Sequence, residues 1–122
     1  MEDDSVLQDQ DERRRGDRIP VSGMAKLQVI ESGSELLDGL TFESELKDLS
    51  PQGLRLECDR SIEGCKLDMW VQVEGRRDKI FLAADVRWVR ELGDDRFQAG
   101  VQLIDNPLSD FSAWLKLFSA LS

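Results

Sequence analysis

The strongest constraint on the fold is the alternation of apolar and polar residues within residues 40–49, LTFESELKDL. One face carries Leu40, Phe42, Ser44 and Leu46, and the other carries Thr41, Glu43, Glu45 and Lys47. A period of two with one apolar face is typical of a half-buried β-strand. The turn sequence SPQG (50–53) follows, and LRLEC (54–58) then alternates again. This part of the chain therefore predicts two consecutive strands joined by a tight turn.

Further segments of the same kind occur along the chain. They are MAKLQVIE (24–31), DMWVQVEG (68–75), KIFLAADVRWVRE (79–91) and FQAGVQLI (97–104). The sequence GRRD (75–78) predicts a hairpin turn, and GDD (93–95) predicts a second turn. The sequence SGSELLDG (32–39) predicts a polar turn, in which ELLD can form one helical turn. Pro20 disfavours helix at its predecessor, so Ile19-Pro20-Val21 is expected to lead into the first strand in extended form. Short strands with such turns predict an antiparallel barrel or sandwich.

The C-terminal segment NPLSDFSAWLKLFSALS differs in kind. Its large apolar residues recur at helical spacing: Leu108, Phe111, Trp114, Leu115, Phe118 and Leu121. Asn106 can cap this helix, with Pro107 at the first helical position. We expect the apolar stripe to plug or cover the barrel, and a surface for a partner is the alternative.

Several classes of function are disfavoured by what the chain lacks. A length of 122 residues predicts one domain. No apolar run approaches the roughly 20 residues that span a bilayer, and the first residues lack the basic start and apolar stretch of a signal peptide, so we expect a cytoplasmic protein without membrane insertion. Without histidine, the commonest general base is absent, and we predict neither an enzyme nor a metal site or cofactor. Cys58 and Cys65 are expected to be reduced thiols packed near a hairpin.

The charge distribution favours a compact anionic ligand. The chain has 16 basic and 25 acidic residues, a net charge of −9, which disfavours general binding of nucleic acid. Residues 1–12 hold six acids and no base, and we expect this leader to have no fixed structure when free. Arg13, Arg14, Arg15 and Arg18 follow directly. Such a cluster is either a solvent-exposed basic segment without a specific role or a binding site for an anion.

Two short patterns can carry the chemistry of such a site. In Arg14-x-x-x-Arg18, each guanidinium presents a planar fork that pairs with phosphate or the edge of guanine. In Asp48-Leu49-Ser50-Pro51-Gln52-Gly53, the structural interpretation is a turn in which Gly53 permits a positive φ. The functional interpretation is that Asp48 accepts the N1 and N2 protons of a guanine and Ser50 donates to an anion.

Together these patterns resemble the two-part signature of the PilZ domain family, R-x-x-x-R followed by (D/N)-x-S-x-x-G. The resemblance extends through LSPQGLRLE, ADVRWVRE and AGVQLID, and it covers about residues 12–121. It implies a mainly all-β fold, a six-stranded antiparallel β-barrel with a C-terminal α-helix, over residues 13–122. It also implies a bacterial receptor for cyclic di-GMP. In that family the arginines hold phosphate and guanine, while the Asp, Ser and Gly of the turn bind a guanine edge.

Trp88 is a further candidate, because an aromatic side chain in the late strand can stack on a guanine. Alternation can equally place Trp88 in the core, and we favour a position beside the site. Arg90 lies two residues further on the same predicted face and is either a ligand contact or a solvated residue. Ligand-binding residues are therefore predicted at Arg13, Arg14, Arg15, Arg18, Asp48, Ser50, Gly53 and Trp88.

The main hypothesis is a non-catalytic cyclic di-GMP receptor that passes its ligand state to a downstream protein by ordering its N-terminal arm. One alternative is a PilZ-like interaction module of pilus or motility machinery that needs no nucleotide. Another is an RNA-binding barrel, which the net charge disfavours.

The resemblance also bears on stoichiometry. In PilZ proteins, the residue before the first motif arginine influences whether one ligand or an intercalated dimer is held. Arg13 occupies that position and can stack on the added guanine, while Arg15 adds positive charge. We therefore predict that cyclic di-GMP binds as an intercalated dimer, two molecules per chain.

Overall fold

Six strands and one helix form the part of the chain that the structure describes. The computed structural model describes residues 18–32 and 37–121, so the acidic leader and Arg13 to Arg15 lie outside it. The elements are β1 (Ile19–Glu31), β2 (Thr41–Ser50), β3 (Gly53–Cys58), β4 (Lys66–Val73), β5 (Ile80–Gly93), β6 (Arg96–Ile104) and α1 (Phe111–Leu121). Each predicted strand is confirmed, and β1 also includes the extended segment at its start. Residues 37–39 of the predicted polar segment form a turn, and residues 33–36 lie outside the described part of the chain.

The strands close into an antiparallel barrel in the order β1-β2-β3-β6-β5-β4. β2 and β3 form the predicted hairpin, as do β4 with β5 and β5 with β6. The barrel closes because β4 pairs with β1 and β6 pairs with β3. This closure confirms the six-stranded barrel and excludes the sandwich alternative.

The alternation of β2 corresponds to the inside and outside of the barrel. Ser44 and Leu46 are buried, whereas Glu43 and Glu45 are exposed. Ser44 is the one polar side chain in the buried set of described residues, and its hydroxyl donates a hydrogen bond of 3.1 Å to the carbonyl of Ala25. A buried hydroxyl needs such a partner to offset its desolvation. The predicted inner face of this strand is therefore confirmed.

The connection from β3 to β4 crosses one end of the barrel. Ile62 in this connection is fully buried, and Cys58 and Cys65 at its two ends are each 1% exposed. Both cysteines are free, as expected, and burial raises the pKa of each thiol. The thiol of Cys58 also donates to the carbonyl of Arg60 at 3.1 Å. These cysteines therefore act as small apolar residues that close the core.

The helix begins later than the sequence predicts. Asn106 closes a turn instead, because its side-chain oxygen accepts from the amide of Leu108 at 2.9 Å and its carbonyl accepts from Ser109. The carbonyl of Asp110 accepts the amide of Trp114, so Asp110 precedes the first helical residue, Phe111. The predicted cap at Asn106 was wrong, because local hydrogen bonding by an asparagine side chain stabilises a turn as readily as a helix.

The buried face of α1 also differs from the prediction. Trp114 and Leu117 are its buried residues, while Leu115 is 41% exposed and Leu108, which precedes the helix, is 85% exposed. Phe111, Phe118 and Leu121 pack against the core as expected. Because Trp114 is fully buried and belongs to the barrel's core cluster, the prediction that the helix covers the barrel is confirmed.

Candidate functional site

The β2–β3 turn presents the second sequence pattern at one end of the barrel. Ser50 ends β2, Pro51 and Gln52 form the turn, and Gly53 begins β3. The hydroxyl of Ser50 donates to the carbonyl of Gly53 at 3.2 Å across this turn. The serine thus fixes the loop while its hydroxyl oxygen remains able to accept a hydrogen bond.

Gly53 is needed for a different reason from the one expected. Its φ is not positive, unlike that of Gly39, Gly64, Gly75 and Gly93. A Cβ atom at residue 53 would instead collide with the backbone carbonyl of Val101 on β6. The glycine therefore allows β3 and β6 to approach closely beside the turn. The expectation of a positive φ was wrong.

The carboxylate of Asp48 lies between two guanidinium groups. It is 3.4 Å from Nη1 of Arg18 and 3.2 Å from Nε of Arg55. The Asp48 side chain is 16% exposed, and that of Arg18 is 43% exposed. The sequence analysis missed Arg55, although its register position on β3, directly opposite Asp48, could have indicated the contact.

Trp88 lies on the outside of the barrel, so the core alternative for this residue is wrong. It pairs with Gly100 of β6 across the strands, and its side chain is 39% exposed. The indole covers Gly100 so closely that a Cβ atom there would overlap the ring. One side of the ring therefore rests on backbone, and the indole remains partly exposed to solvent.

A shallow cleft of about 200 Å³ brings these features together. Four predicted site residues line it: Arg18, Ser50, Gly53 and Trp88. Asp48 adjoins the cleft through its ion pair with Arg18. The volume is below the 300–1,000 Å³ of typical small-molecule sites. The described residues therefore form an open platform rather than an enclosed pocket.

The cleft also includes residues that the sequence analysis missed. Arg87 and Gln102 line it, and Nε of Arg87 donates to Oε1 of Gln102. Arg90 does not line it and donates instead to Gln98 at 2.7 Å. A register shift between Val86 and Trp88 explains why the adjacent Arg87 and Trp88 both line the cleft, because an extra residue in a strand changes which side chains share a face. Arg90 pairs with Gln98, two residues beyond the Trp88–Gly100 pair and outside the cleft. Arg13, Arg14 and Arg15 lie outside the described residues.

The family model of the PilZ domain matches residues 12–118, most of the chain. The chain belongs to the PilZ domain family. This is a family of ligand-binding domains that includes cyclic di-GMP receptors and is generally non-enzymatic. The match spans both the arginine cluster and the β2–β3 turn. A search of curated proteins finds no significant match to the sequence.

Residues 18–32 and 37–121 contain no group of three or more His, Cys, Asp or Glu side chains that could hold a metal ion. Within the same ranges, no helix is long and apolar enough to cross a membrane. The cleft beside the β2–β3 turn is the candidate functional site of this PilZ domain.

Proposed function

We propose that this PilZ domain is a receptor for cyclic di-GMP and that the ligand binds on the cleft beside the β2–β3 turn. The observation that carries the proposal is the convergence of Arg18, Ser50, Gly53 and Trp88 on one cleft, with Asp48 at its edge. These side chains offer a cation for phosphate, a carboxylate for a guanine edge and an aromatic ring for stacking. A cyclic dinucleotide of guanine presents all three partners.

In this proposal Asp48 changes partners when the ligand binds. The exposed ion pair between Arg18 and Asp48 contributes little, about 0–1 kcal/mol, so it breaks readily. A phosphate of the ligand then forms an ion pair with Arg18, and the carboxylate of Asp48 accepts hydrogen bonds from N1 and N2 of guanine. Arg55 stays at 3.2 Å from the carboxylate and holds it in place.

Trp88 would stack on a guanine in the same complex. Its ring is supported from behind by Gly100, so little side-chain freedom is lost when a base packs against it. The sequence pattern adds Arg14, the first arginine of the motif, to the proposed site. Arg13 and Arg15 would offset the charge of a second ligand, and we propose two molecules per chain as an intercalated dimer. Arg13→Leu should lower the ratio of bound ligand toward one.

We further propose that the receptor acts in the cytoplasm and signals to a downstream protein through the surface around the turn. The indole Nε1 of Trp114 donates to the carbonyl of Ser50 at 3.1 Å. This bond connects the ligand-binding turn directly to α1. A shift of the turn on binding would therefore reach the helix as well as the N-terminal arm, and either surface can contact the partner.

Calorimetric titration with cyclic di-GMP tests the proposal, with cyclic di-AMP and GTP as controls. We expect binding of cyclic di-GMP and discrimination against adenine, which lacks the protons that Asp48 accepts. Asp48→Ala and Arg18→Ala should each weaken binding roughly 10- to 150-fold, the effect of losing a charged hydrogen bond of about 1.5–3 kcal/mol.

Arg90→Ala is the matched control, because this arginine lies on β5 near Trp88 but outside the cleft. It should leave the affinity unchanged. Equal affinity for cyclic di-AMP would refute the role of Asp48. No binding of any nucleotide would favour the alternative function, an interaction module of pilus or motility machinery.

A further inference from the structure

A second crevice lies between α1 and the start of β5, with a volume of about 450 Å³. Its lining shares no residue with the cleft beside the β2–β3 turn. The volume falls within the range of small-molecule sites, 300–1,000 Å³. The crevice is therefore a separate candidate for a binding site.

The floor of this crevice is apolar. It is formed by Val73 and Ile80 of the barrel and by Leu117 of the helix, which are 6%, 8% and 9% exposed. Ala113 and Ala120 lie on the same side of α1 as Leu117 and also line the crevice. Both alanines are exposed, and their short side chains leave the space above the floor open. An aliphatic chain in this space would remove apolar surface from water.

The rim of the crevice is basic, although the chain as a whole has a net charge of −9. Arg76, Lys79 and Lys116 line it, and none of the three forms an ion pair with any residue of the described ranges. The two acids of the lining are Asp78 and Asp110, and Asp110 already accepts the backbone amide of Phe81 at 2.9 Å. The lining therefore has one positive charge in excess.

We propose that this crevice binds an amphipathic carboxylate, an aliphatic chain that carries a single negative charge. The chain would lie on Val73, Ile80 and Leu117, and the carboxylate would face Lys116 and Arg76. A single anionic charge matches the excess charge of the lining. No aromatic side chain lines the crevice in the described part of the molecule, so stacking of a purine is disfavoured there. This site is independent of the proposed cyclic di-GMP site.

Titration of the full chain with octanoate, followed by amide NMR spectra, tests this site. We expect saturable shifts at Val73, Ala113, Leu117 and Ala120. Octanol has the same chain without the charge, and acetate has the charge without the chain. Each should bind at least severalfold more weakly than octanoate. Equal affinity for octanol and octanoate, or shifts that leave the crevice unaffected, would overturn the proposal.

Two pairs of variants separate the contributions of shape and charge. Ala120→Leu fills the crevice and should abolish saturable binding, whereas Ser112→Leu adds the same bulk to the helix outside the crevice and should not change the affinity. Lys116→Gln should weaken binding roughly two- to fivefold, as expected for one exposed charge pair. Lys26→Gln removes an exposed lysine outside the crevice and should have no effect. Undiminished binding by folded Ala120→Leu would refute the site.

Discussion

Asp48 illustrates how a site residue depends on neighbours that its motif does not name. Arg18 and Arg55 approach different oxygens of its carboxylate, at 3.4 Å and 3.2 Å. Because Arg55 lies beside one carboxylate oxygen, the other oxygen can exchange Arg18 for a ligand without leaving this partly buried carboxylate unpaired. The motif predicts the carboxylate, but its second cation follows only from strand register.

Substitutions at Gly53 and Gly64 should distinguish a glycine that is required by close contact between strands from one that is required by a positive φ. Gly53→Ala should lower the free energy of unfolding by about 1–3 kcal/mol, because the new Cβ collides with the carbonyl of Val101. Gly53→Asn should be worse still. At Gly64, where φ is +75° and no atom lies within 4 Å of the Cβ position, asparagine should be tolerated better than alanine.

Urea unfolding of the four variants measures these differences. The opposite order of Ala and Asn at the two positions is the expected result. If asparagine were also the better substitute at residue 53, backbone conformation rather than contact with β6 would explain the glycine.

Trp88 is expected to contribute to ligand binding and little to folding. Its ring lies outside the barrel and is 39% exposed. Trp88→Ala should weaken cyclic di-GMP binding roughly 5- to 150-fold, since stacking of a base on an aromatic ring contributes about 1–3 kcal/mol. Trp88→Phe should restore most of the affinity. Calorimetry measures both variants, with Trp70→Ala, outside the cleft, as the control. Wild-type affinity of Trp88→Ala would remove this residue from the site.

At the scale of elements, the sequence predicted strands better than it predicted the helix. Alternation in segments such as residues 40–49 predicts strands well, because the barrel has one face toward the core and one toward water. The predicted set of buried residues on the helix was only partly correct, since Leu115 is exposed and Leu117 is buried. Which residues of a helix are buried depends on how it meets the barrel end, and the spacing of apolar residues alone does not determine that.

The bond between Trp114 and Ser50 gives a prediction about how α1 is held. Trp114→Phe keeps an aromatic ring in the core but leaves the carbonyl of Ser50 without the indole donor. The free energy of unfolding should fall by about 1–3 kcal/mol, the cost of an unmet hydrogen bond at a partly buried group. Urea unfolding measures the loss. Trp70→Phe is the control, because the indole of Trp70 forms no hydrogen bond with a described residue.

The same bond can be followed during ligand binding. If the β2–β3 turn passes its state to α1, the indole NH resonance of Trp114 should shift when cyclic di-GMP saturates the protein. The resonance of Trp70 should not shift, since this residue lies away from the cleft. An unchanged Trp114 resonance at saturation would exclude this path to the helix and leave the N-terminal arm as the route.

At the scale of the whole molecule, the charge of the chain opposes the binding of an anion. The net charge is −9, and each of the two proposed ligand molecules carries two phosphates. The acidic residues of the chain repel the ligand over distances up to the Debye length, about 10 Å at 0.1 M salt. Attraction by cations close to the site must therefore exceed this repulsion. The four arginines between residues 13 and 18 are the densest positive charge in the sequence, and six acids precede them directly.

Deleting residues 2–12 tests whether these acids compete with the ligand for the arginines. The deletion removes six of the 25 acidic residues and should tighten cyclic di-GMP binding modestly, because each exposed contact between carboxylate and guanidinium contributes only about 0–1 kcal/mol. The gain should shrink as salt screens the charges. Calorimetry at low and high salt measures both effects, and a variant with the six acids changed to Asn or Gln controls for chain length. Weaker binding after both changes would mean that the acidic residues assist the ligand instead of competing with it.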